Sequence, residues 1–297
     1  MPPMETIPAK TIVARVKKPS DWFGAQYNMN IYRGCTHGCI YCDSRSECYG
    51  DKNFDTVKVK ENALEIIRDE LRRKVKTGVI ATGAMSDPYN PLEHTLKLTR
   101  RALELVNAYE FGVAIATKSA LVARDADILQ DIGEHSPVLV KMTITTADED
   151  LCKKLEPHVS GTAERFEAMR TLTERGVYCG VLMMPILPFV NDTEENITEI
   201  LARAKKAGAR FCYPAFGMTL RRGNREYYYD QLDELLPGMA ERYAARYGED
   251  YGCPSPRARK LWGVFKERCQ QLGLLYNMRD IVSQYMDGYE REQLRLF

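Results

Sequence analysis

The chain has 297 residues, 44% apolar and 28% charged, a balance that excludes a disordered or membrane-embedded protein and suits one catalytic domain with a terminal extension. With 42 basic against 41 acidic residues the formal charge is +1, so no global field draws the protein to nucleic acid or to an anionic membrane, and any nucleic-acid site has to be a local patch. The N-terminus lacks an apolar run of signal-peptide length and no later stretch approaches the ~20 apolar residues of a bilayer span, which makes a cytoplasmic location the expectation.

In chain order, Tyr27–Gly34 reads as a first strand leading into a cysteine-rich loop. From Glu61 to Val75, the residues Leu64, Ile67, Leu71 and Val75 fall on one stripe with charges opposite, which predicts a helix lying on a sheet. Gly78–Pro88 is a short apolar run stopped by turn residues and reads as a buried strand. The pair recurs: helices near 95–109, 123–132 and 162–175 are followed by strands within 111–119, 137–146 and 176–185, and a last helix near 193–206 leads into 209–217. About six β/α units result, hence a parallel sheet covered by helices with right-handed connections.

Six units suit either a partial barrel or a doubly wound sheet. One strand favours the barrel: Lys141, Thr143 and Thr145 share one face while Val140, Met142 and Ile144 share the other. Polar groups then point inward near the strand's C-terminal end, where barrel enzymes bind substrate; an open sheet with a half-exposed face is the alternative. From Met218 the alternation gives way to helical patterns around 238–247 and 257–272 and a polar C-terminal stretch.

Nine cysteines, an odd number at uneven spacings in a chain too large to need disulfide staples, read as reduced thiols. Cys48, Cys152, Cys179, Cys212, Cys253 and Cys269 are scattered and suit small apolar core positions. Cys35, Cys39 and Cys42 are clustered as Cys-x3-Cys-x2-Cys. Thiolates bind iron–sulfur clusters, and a four-iron cube held by three of them keeps one iron open for a small ligand, as catalytic zinc keeps one position free. The amino and carboxylate groups of the methionine moiety of S-adenosylmethionine (SAM) suit such an iron. Zinc held by Cys39 and Cys42 with Cys35, Cys48 or His37 is the competing reading, although no second Cys-x2-Cys pair exists. A purely electron-transferring cluster is another, although it would normally have a fourth cysteine.

The triplet, with Tyr41 just before its third cysteine, resembles the radical SAM superfamily, and Tyr27–Arg45 as a whole is similar to its spore photoproduct lyase-like branch. The resemblance continues through SDPYNPLE, ATKSALVARD, TITTADEDLCKKLEPH and MMPILPFVND, over most of residues 10–215. It implies an α/β fold, a partial (β/α)6 TIM-type barrel over 28–217, with an N-terminal segment 1–27 and a helical C-terminal extension 218–297 that caps or flanks the barrel. It implies an oxygen-sensitive [4Fe–4S] cluster on Cys35, Cys39 and Cys42, fed by a low-potential electron donor of flavodoxin or ferredoxin type. Reductive cleavage of SAM would give a 5′-deoxyadenosyl radical that abstracts a substrate hydrogen.

By the same resemblance, Ser86 and Lys118 match positions that contact SAM, and Thr143 and Thr145 match the region that holds the ribose; Asp87 suits the methionine ammonium by charge pairing. Met184 lies where an apolar adenine contact is found, and Tyr41 packs by the adenine. The bland alternatives are helix caps for Ser86 and Asp87, a surface charge for Lys118, and ordinary strand and core packing for the threonines and Met184.

The resemblance breaks at one place. Spore photoproduct lyases carry a hydrogen-donating cysteine in the segment that corresponds here to Gly83–Pro88, where this chain has Ala84 and Met85. The family label therefore does not carry a substrate with it. Arg221, Arg222 and Arg225 beside Tyr227, Tyr228 and Tyr229 form a local patch that suits phosphates and bases, and equally a solvated helix start. His37 suits cluster tuning or a solvent-facing loop. Arg124 with Asp125, and Glu156 with Arg165, read as ion pairs, with a SAM contact as the alternative for Arg165. The expectation is a radical SAM enzyme of unidentified substrate; a DNA-lesion lyase with another hydrogen donor and a non-catalytic zinc or iron–sulfur module that binds nucleic acid are the rivals.

Overall fold

Six parallel strands stand side by side in the order in which the chain makes them, and that order decides between the two architectures. The structure, a computed structural model, describes residues 5–17, 22–51 and 53–295. Strands β1 (Thr6–Ile7) and β2 (Val13–Arg15) lead to β3 (Tyr27–Met29) and β4 (Tyr32–Arg33); after the cysteine loop comes β5 (Lys58–Lys60). The β/α units follow: α1 (Ala63–Arg72) with β6 (Val79–Thr82); α2 (Glu93–Leu96) and α3 (Leu98–Ala108) with β7 (Gly112–Thr117); and α4 (Ala126–Gly133) with β8 (Val138–Thr143). Then come α5 (Glu149–Leu155) and α6 (Thr162–Glu174) with β9 (Tyr178–Met183), and α7 (Glu194–Lys206) with β10 (Phe211–Pro214). The remainder is β11 (Gly217–Thr219), α8 (Asn224–Leu235), α9 (Met239–Tyr247), β12 (Gly252–Pro254), α10 (Ala258–Leu272) and α11 (Met278–Arg295).

The large sheet runs β10-β9-β8-β7-β6-β3-β2, parallel throughout except for β2. A doubly wound sheet reverses its order at a switch point; this one never does, so it curls into a partial barrel. Strand parity agrees. Val138, Val140, Met142 and Ile144 pack outward into the helix-facing core, while Val79, Ala81, Ala114, Leu139, Leu182 and Phe211 form a second core inside the barrel.

The extension after Met218 is split between the two ends of the barrel. Ile281, Tyr285 and Met286 of α11 bury themselves in the interior core, and the Tyr285 hydroxyl donates to the Phe23 carbonyl. Gln284 accepts from Tyr178 at 2.6 Å and Tyr289 meets Thr77 at 2.6 Å, both at strand starts. The helix thus plugs the N-terminal end and leaves the C-terminal end as the mouth. Its apolar stripe is narrow, which is why the sequence reads there only as polar. One expectation fails: α1 stops at Arg72, the Lys74 N–H turns back to the Leu71 carbonyl, and Val75 is 99% exposed instead of completing the stripe.

Inside the barrel, Lys141 stands level with Ala116 on one neighbouring strand and Gly180 on the other. A Cβ on Gly180 would lie 2.3 Å from the Phe211 ring, so the aromatic side chain fills the space that glycine leaves. Lys141 is 1% exposed, and its ammonium lies 4.6 Å from the centre of the Phe23 ring. Burial pushes this amine down to about 7 from its ordinary 10.5. Below pH 7 the folded protein carries a desolvated charge; between about 7 and 10.5 the unfolded chain holds a proton the folded one has lost, so stability from this group rises with pH. Lys141→Met should therefore stabilise the fold by roughly 2–4 kcal/mol below pH 7, with the gain shrinking toward pH 10. Denaturant unfolding across that range measures it; a gain independent of pH would contradict the assignment.

Candidate active site at the mouth of the barrel

The cysteine loop is fixed at both ends by backbone before any metal is considered. It leaves β4 through Gly34, whose positive φ of 78° brings it so close to the next segment that a Cβ would lie 2.2 Å from the Thr56 carbonyl. The Cys35 N–H donates to the Phe54 carbonyl at 2.7 Å, the Ile40 N–H to Leu155 at 3.0 Å, and the His158 N–H to His37 at 3.2 Å. Cys39 is buried and Cys35 and Cys42 are partly exposed. Burial, helped by Asp87, pushes the Cys35 thiol up to about 11, and burial pushes Cys39 well above its ordinary range although Lys118 opposes it.

Among the described residues no three His, Cys, Asp or Glu side chains converge as a metal-ion site. The test of fit is therefore the donor set itself: three thiols presented by one anchored loop, the ligand type that iron–sulfur clusters take. A second observation points the same way. Thr145 is buried at the end of β8 and its hydroxyl has no hydrogen-bond partner, so a polar group of a ligand there would satisfy it.

Ser86 and Asp87 stand behind the loop. The Ser86 hydroxyl donates to the Gly34 carbonyl. Asp87 accepts from the Tyr89 N–H at 2.9 Å, the Thr117 hydroxyl at 2.7 Å and the Lys118 N–H at 2.8 Å, and its other face lies 3.5 Å from His37 Nδ1. Burial drives His37 toward its neutral form even though Asp87 pulls the other way. In this arrangement Asp87 ties the ends of β6 and β7 to the cysteine loop.

Tyr41, Cys42, Lys118 and Met184 line one cavity of about 610 Å³, whose far wall is β11 and β12. The Lys118 ammonium lies 5.6 Å from the centre of the Tyr41 ring. Burial works to lower it, but Cys39, Glu156 and Cys42 outweigh burial and hold it above its ordinary range. Ala84, in the segment where this chain lacks a cysteine, also faces this cavity and contributes a methyl group. Ala84 and Met85 are both exposed.

The Tyr41 hydroxyl donates to Glu156, which pairs with Arg165; both charged residues are essentially inaccessible. Burial would raise the Glu156 carboxyl, yet Arg165 and Lys118 hold it below the usual range. The remaining Arg165 donors reach the Thr143 carbonyl at 2.9 Å and the Ser160 carbonyl at 2.8 Å. Arg165 is thus fully engaged as a brace between the loop and β8. Two residues escaped the sequence reading: Asn191 and Asn196 donate to the Thr145 carbonyl at 2.9 and 3.0 Å. Their place at a strand-to-helix junction was the available signal.

Within the arginine patch, Arg225 and Arg221 are bonded inside the fold while Arg222 stays exposed. Arg225 is buried, pairs with Glu249 at 2.6 Å and donates to the Leu220 and Asp250 carbonyls at 2.9 and 2.8 Å. Arg221 donates to the hydroxyls of Tyr49 and Tyr251 at 2.7 and 2.9 Å, and Arg222 lies 3.3 Å from Glu47. Arg45 sits 4.0 Å over the Tyr227 ring. The segment brackets the C-terminal helices against the cysteine loop.

A singly wound parallel barrel with three thiols on one loop at its mouth, and a cavity beside them, belongs to the class of barrel enzymes whose sites lie at the C-terminal ends of the strands. The chain belongs to the radical SAM superfamily, whose family profile matches residues 29–201; it is a radical SAM enzyme. It is 30% identical over 229 residues to the uncharacterized protein Rv2578c of Mycobacterium tuberculosis, covering 75% of this chain and 67% of that one. It is 36% identical over 180 residues to the uncharacterized protein MJ0683 of Methanocaldococcus jannaschii, covering 59% and 66%. Its fold is similar to that of spore photoproduct lyase complexed with dinucleoside spore photoproduct, at a TM-score of 0.66 and 17% identity over 89% of this chain and 78% of that one. The radical SAM methyltransferase TsrM of Kitasatospora setae, with cobalamin and a [4Fe–4S] cluster bound, is similar at a TM-score of 0.58 and 12% identity over 90% and 58%. No helix among the described residues is long and apolar enough to cross a membrane.

Removing one partner of the buried pair strands the other charge. Glu156→Ala should cost about 3–5 kcal/mol, and Glu156→Leu combined with Arg165→Met should cost clearly less than the single change. Equal losses in denaturant unfolding would show that Glu156 matters for packing and not for pairing.

Proposed function

We propose that Cys35, Cys39 and Cys42 hold a [4Fe–4S] cluster, that SAM occupies the barrel mouth beside it, and that the enzyme removes a hydrogen atom from a substrate in the adjoining cavity. Together, cluster and SAM supply reductive cleavage of the sulfonium to a 5′-deoxyadenosyl radical, with the electron coming from a donor of flavodoxin or ferredoxin type.

The chain's own residues bind and orient. Lys118 faces the cavity as a fixed cation suited to a carboxylate. The unpartnered Thr145 hydroxyl suits a ribose hydroxyl, and Met184 and the Tyr41 ring offer apolar surface to an adenine. Ser86 and Asp87 serve by holding the loop in place, through Gly34 and through the Lys118 backbone. Walls from β11 and β12 limit the entry of water. The observation that carries the reading is three thiols on one anchored loop at the C-terminal mouth of a parallel barrel that also presents one cation and one unsatisfied hydroxyl.

Anaerobic reconstitution with iron and sulfide, followed by reduction with SAM present, should yield 5′-deoxyadenosine by chromatography. Yield should fall to background when Cys35, Cys39 and Cys42 are all replaced by alanine. Stoichiometric zinc with no SAM cleavage would overturn the proposal. Deuterium appearing in 5′-deoxyadenosine from labelled candidates would identify the substrate.

A further inference from the structure

A second cavity, of about 410 Å³, lies beside the cysteine loop, built by the N-terminal segment and the small sheet of β1, β5 and β4. Gly34 and Ser44 line it from the two ends of the loop, and Lys10, Arg33 and Lys60 bring cations to it. Asp51 is the acid among its lining residues, and that carboxylate is already neutralised, 3.0 Å from Arg33 Nε and 2.9 Å from Lys58 Nζ. Among the described residues, the ammonium groups of Lys10 and Lys60 make neither an ion pair nor a hydrogen bond. Lys60 is half-buried. Burial lowers its amine from the ordinary range, with Glu70 opposing and the like charge of Arg33 assisting. Glu70 itself gives one carboxylate oxygen to the Ile12 and Val13 N–H groups, at 3.1 and 2.7 Å. The cavity is therefore left with an excess of positive charge that the fold does not answer.

This cavity adjoins the one that holds Lys118. Ser44 lines both, and of two consecutive residues Ala84 lines the cavity of Lys118 and Met85 the cationic one. Ala84 and Met85 are both exposed, so the surface between the cavities is open to solvent, and what it offers there is a methyl group and a thioether. A ligand lying across both cavities meets apolar surface in its middle and unanswered positive charge at one end. The donor set favours a phosphoryl group over a carboxylate at that end. A carboxylate is best met by the planar fork of an arginine, and the Arg33 fork is committed, through Nε to Asp51 at 3.0 Å and through Nη2 to the Tyr49 and Gly50 carbonyls at 3.4 and 3.1 Å. Two ammonium groups remain, compact point charges that match the roughly two negative charges of a phosphate monoester.

We propose that the cavity lined by Lys10, Arg33 and Lys60 is a phosphate subsite of the substrate groove, in which Lys10 and Lys60 hold the phosphoryl group of a substrate whose other end lies in the cavity beside Lys118. The proposal rests on the hydrogen abstraction placed in that cavity above, and it assigns the substrate a class: a phosphate monoester with an uncharged stretch long enough to pass Met85 and Ser44, its reacting carbon several bonds from phosphorus.

The test is isothermal titration of the reconstituted holoprotein, with SAM present and at constant ionic strength, by methyl, butyl and hexyl phosphate, with acetate as the carboxylate control. Methyl phosphate should bind saturably. Lys10→Met and Lys60→Met should each weaken it about tenfold, whereas Lys118→Met should leave it unchanged. From butyl to hexyl phosphate the wild type should gain roughly fourfold for each added methylene group, and Ala84→Trp, which narrows the passage, should remove that gain while methyl phosphate binds as before. No saturable binding, binding indifferent to both lysine substitutions, acetate held as tightly as methyl phosphate, an affinity flat with chain length, or a gain that survives Ala84→Trp overturns the proposal. Production of 5′-deoxyadenosine is assayed separately, so a protein that binds the phosphates through Lys10 and Lys60 but cleaves no SAM refutes the radical reading and leaves the phosphate subsite standing.

Discussion

The Glu156–Arg165 ion pair is the contact on which the mouth of the barrel depends. Both side chains are buried, and removing two charges from water costs several kcal/mol for each ion before their attraction is counted. That cost is offset because the pair is fully bonded: Arg165 also donates to Ser160 and Thr143, and Glu156 accepts from Tyr41. Four chain segments are thereby held at one point: the cysteine loop, the end of α5, the first turn of α6 and the last residue of β8. The loop's position relative to the strand ends is set by this network, and a loop with positive-φ glycines at Gly34 and Gly38 has little stiffness of its own to set it.

How much was legible in the sequence follows from how local each feature is. The thiols announce themselves because three ligands on one loop have to lie close in sequence. The barrel is legible in the alternation of apolar strands with amphipathic helices, and the inward parity of Lys141, Thr143 and Thr145 decided its direction correctly because strand periodicity is strict. Features that join distant segments left weaker traces. Glu156 and Arg165 read as an ion pair, but nothing nearby in sequence says that Tyr41 completes it. The plug helix α11 spends only a few apolar residues on the interior, too few for a clear stripe. Arg221, Arg222 and Arg225 resemble a phosphate patch in composition, and only the fold brings Glu47, Glu249 and the tyrosine hydroxyls to meet them.

The two walls of the cavity have different origins. One is made by the cysteine loop and the ends of β6, β7 and β9, all within the stretch that matches the superfamily. The other is the β11–β12 hairpin, outside that stretch, with α8 and α9 inserted between its strands. The hairpin is held by Arg225, which bonds the backbone at Leu220 and Asp250. The first wall thus lies within the stretch that the superfamily profile covers, whereas the surface opposite belongs to this chain's extension. That second wall is the part of the cavity built from residues outside the superfamily match.

The lumen carries its own argument. A barrel interior filled to native density needs large apolar residues, yet the level of Lys141 is built from Ala116, Gly180 and a lysine. Phe211 and Phe23 close that level from the side where the sheet is open, and a cation over an aromatic face recovers only part of what desolvation takes away. A layer that holds an unpaired amine is worse for stability than one built from leucine.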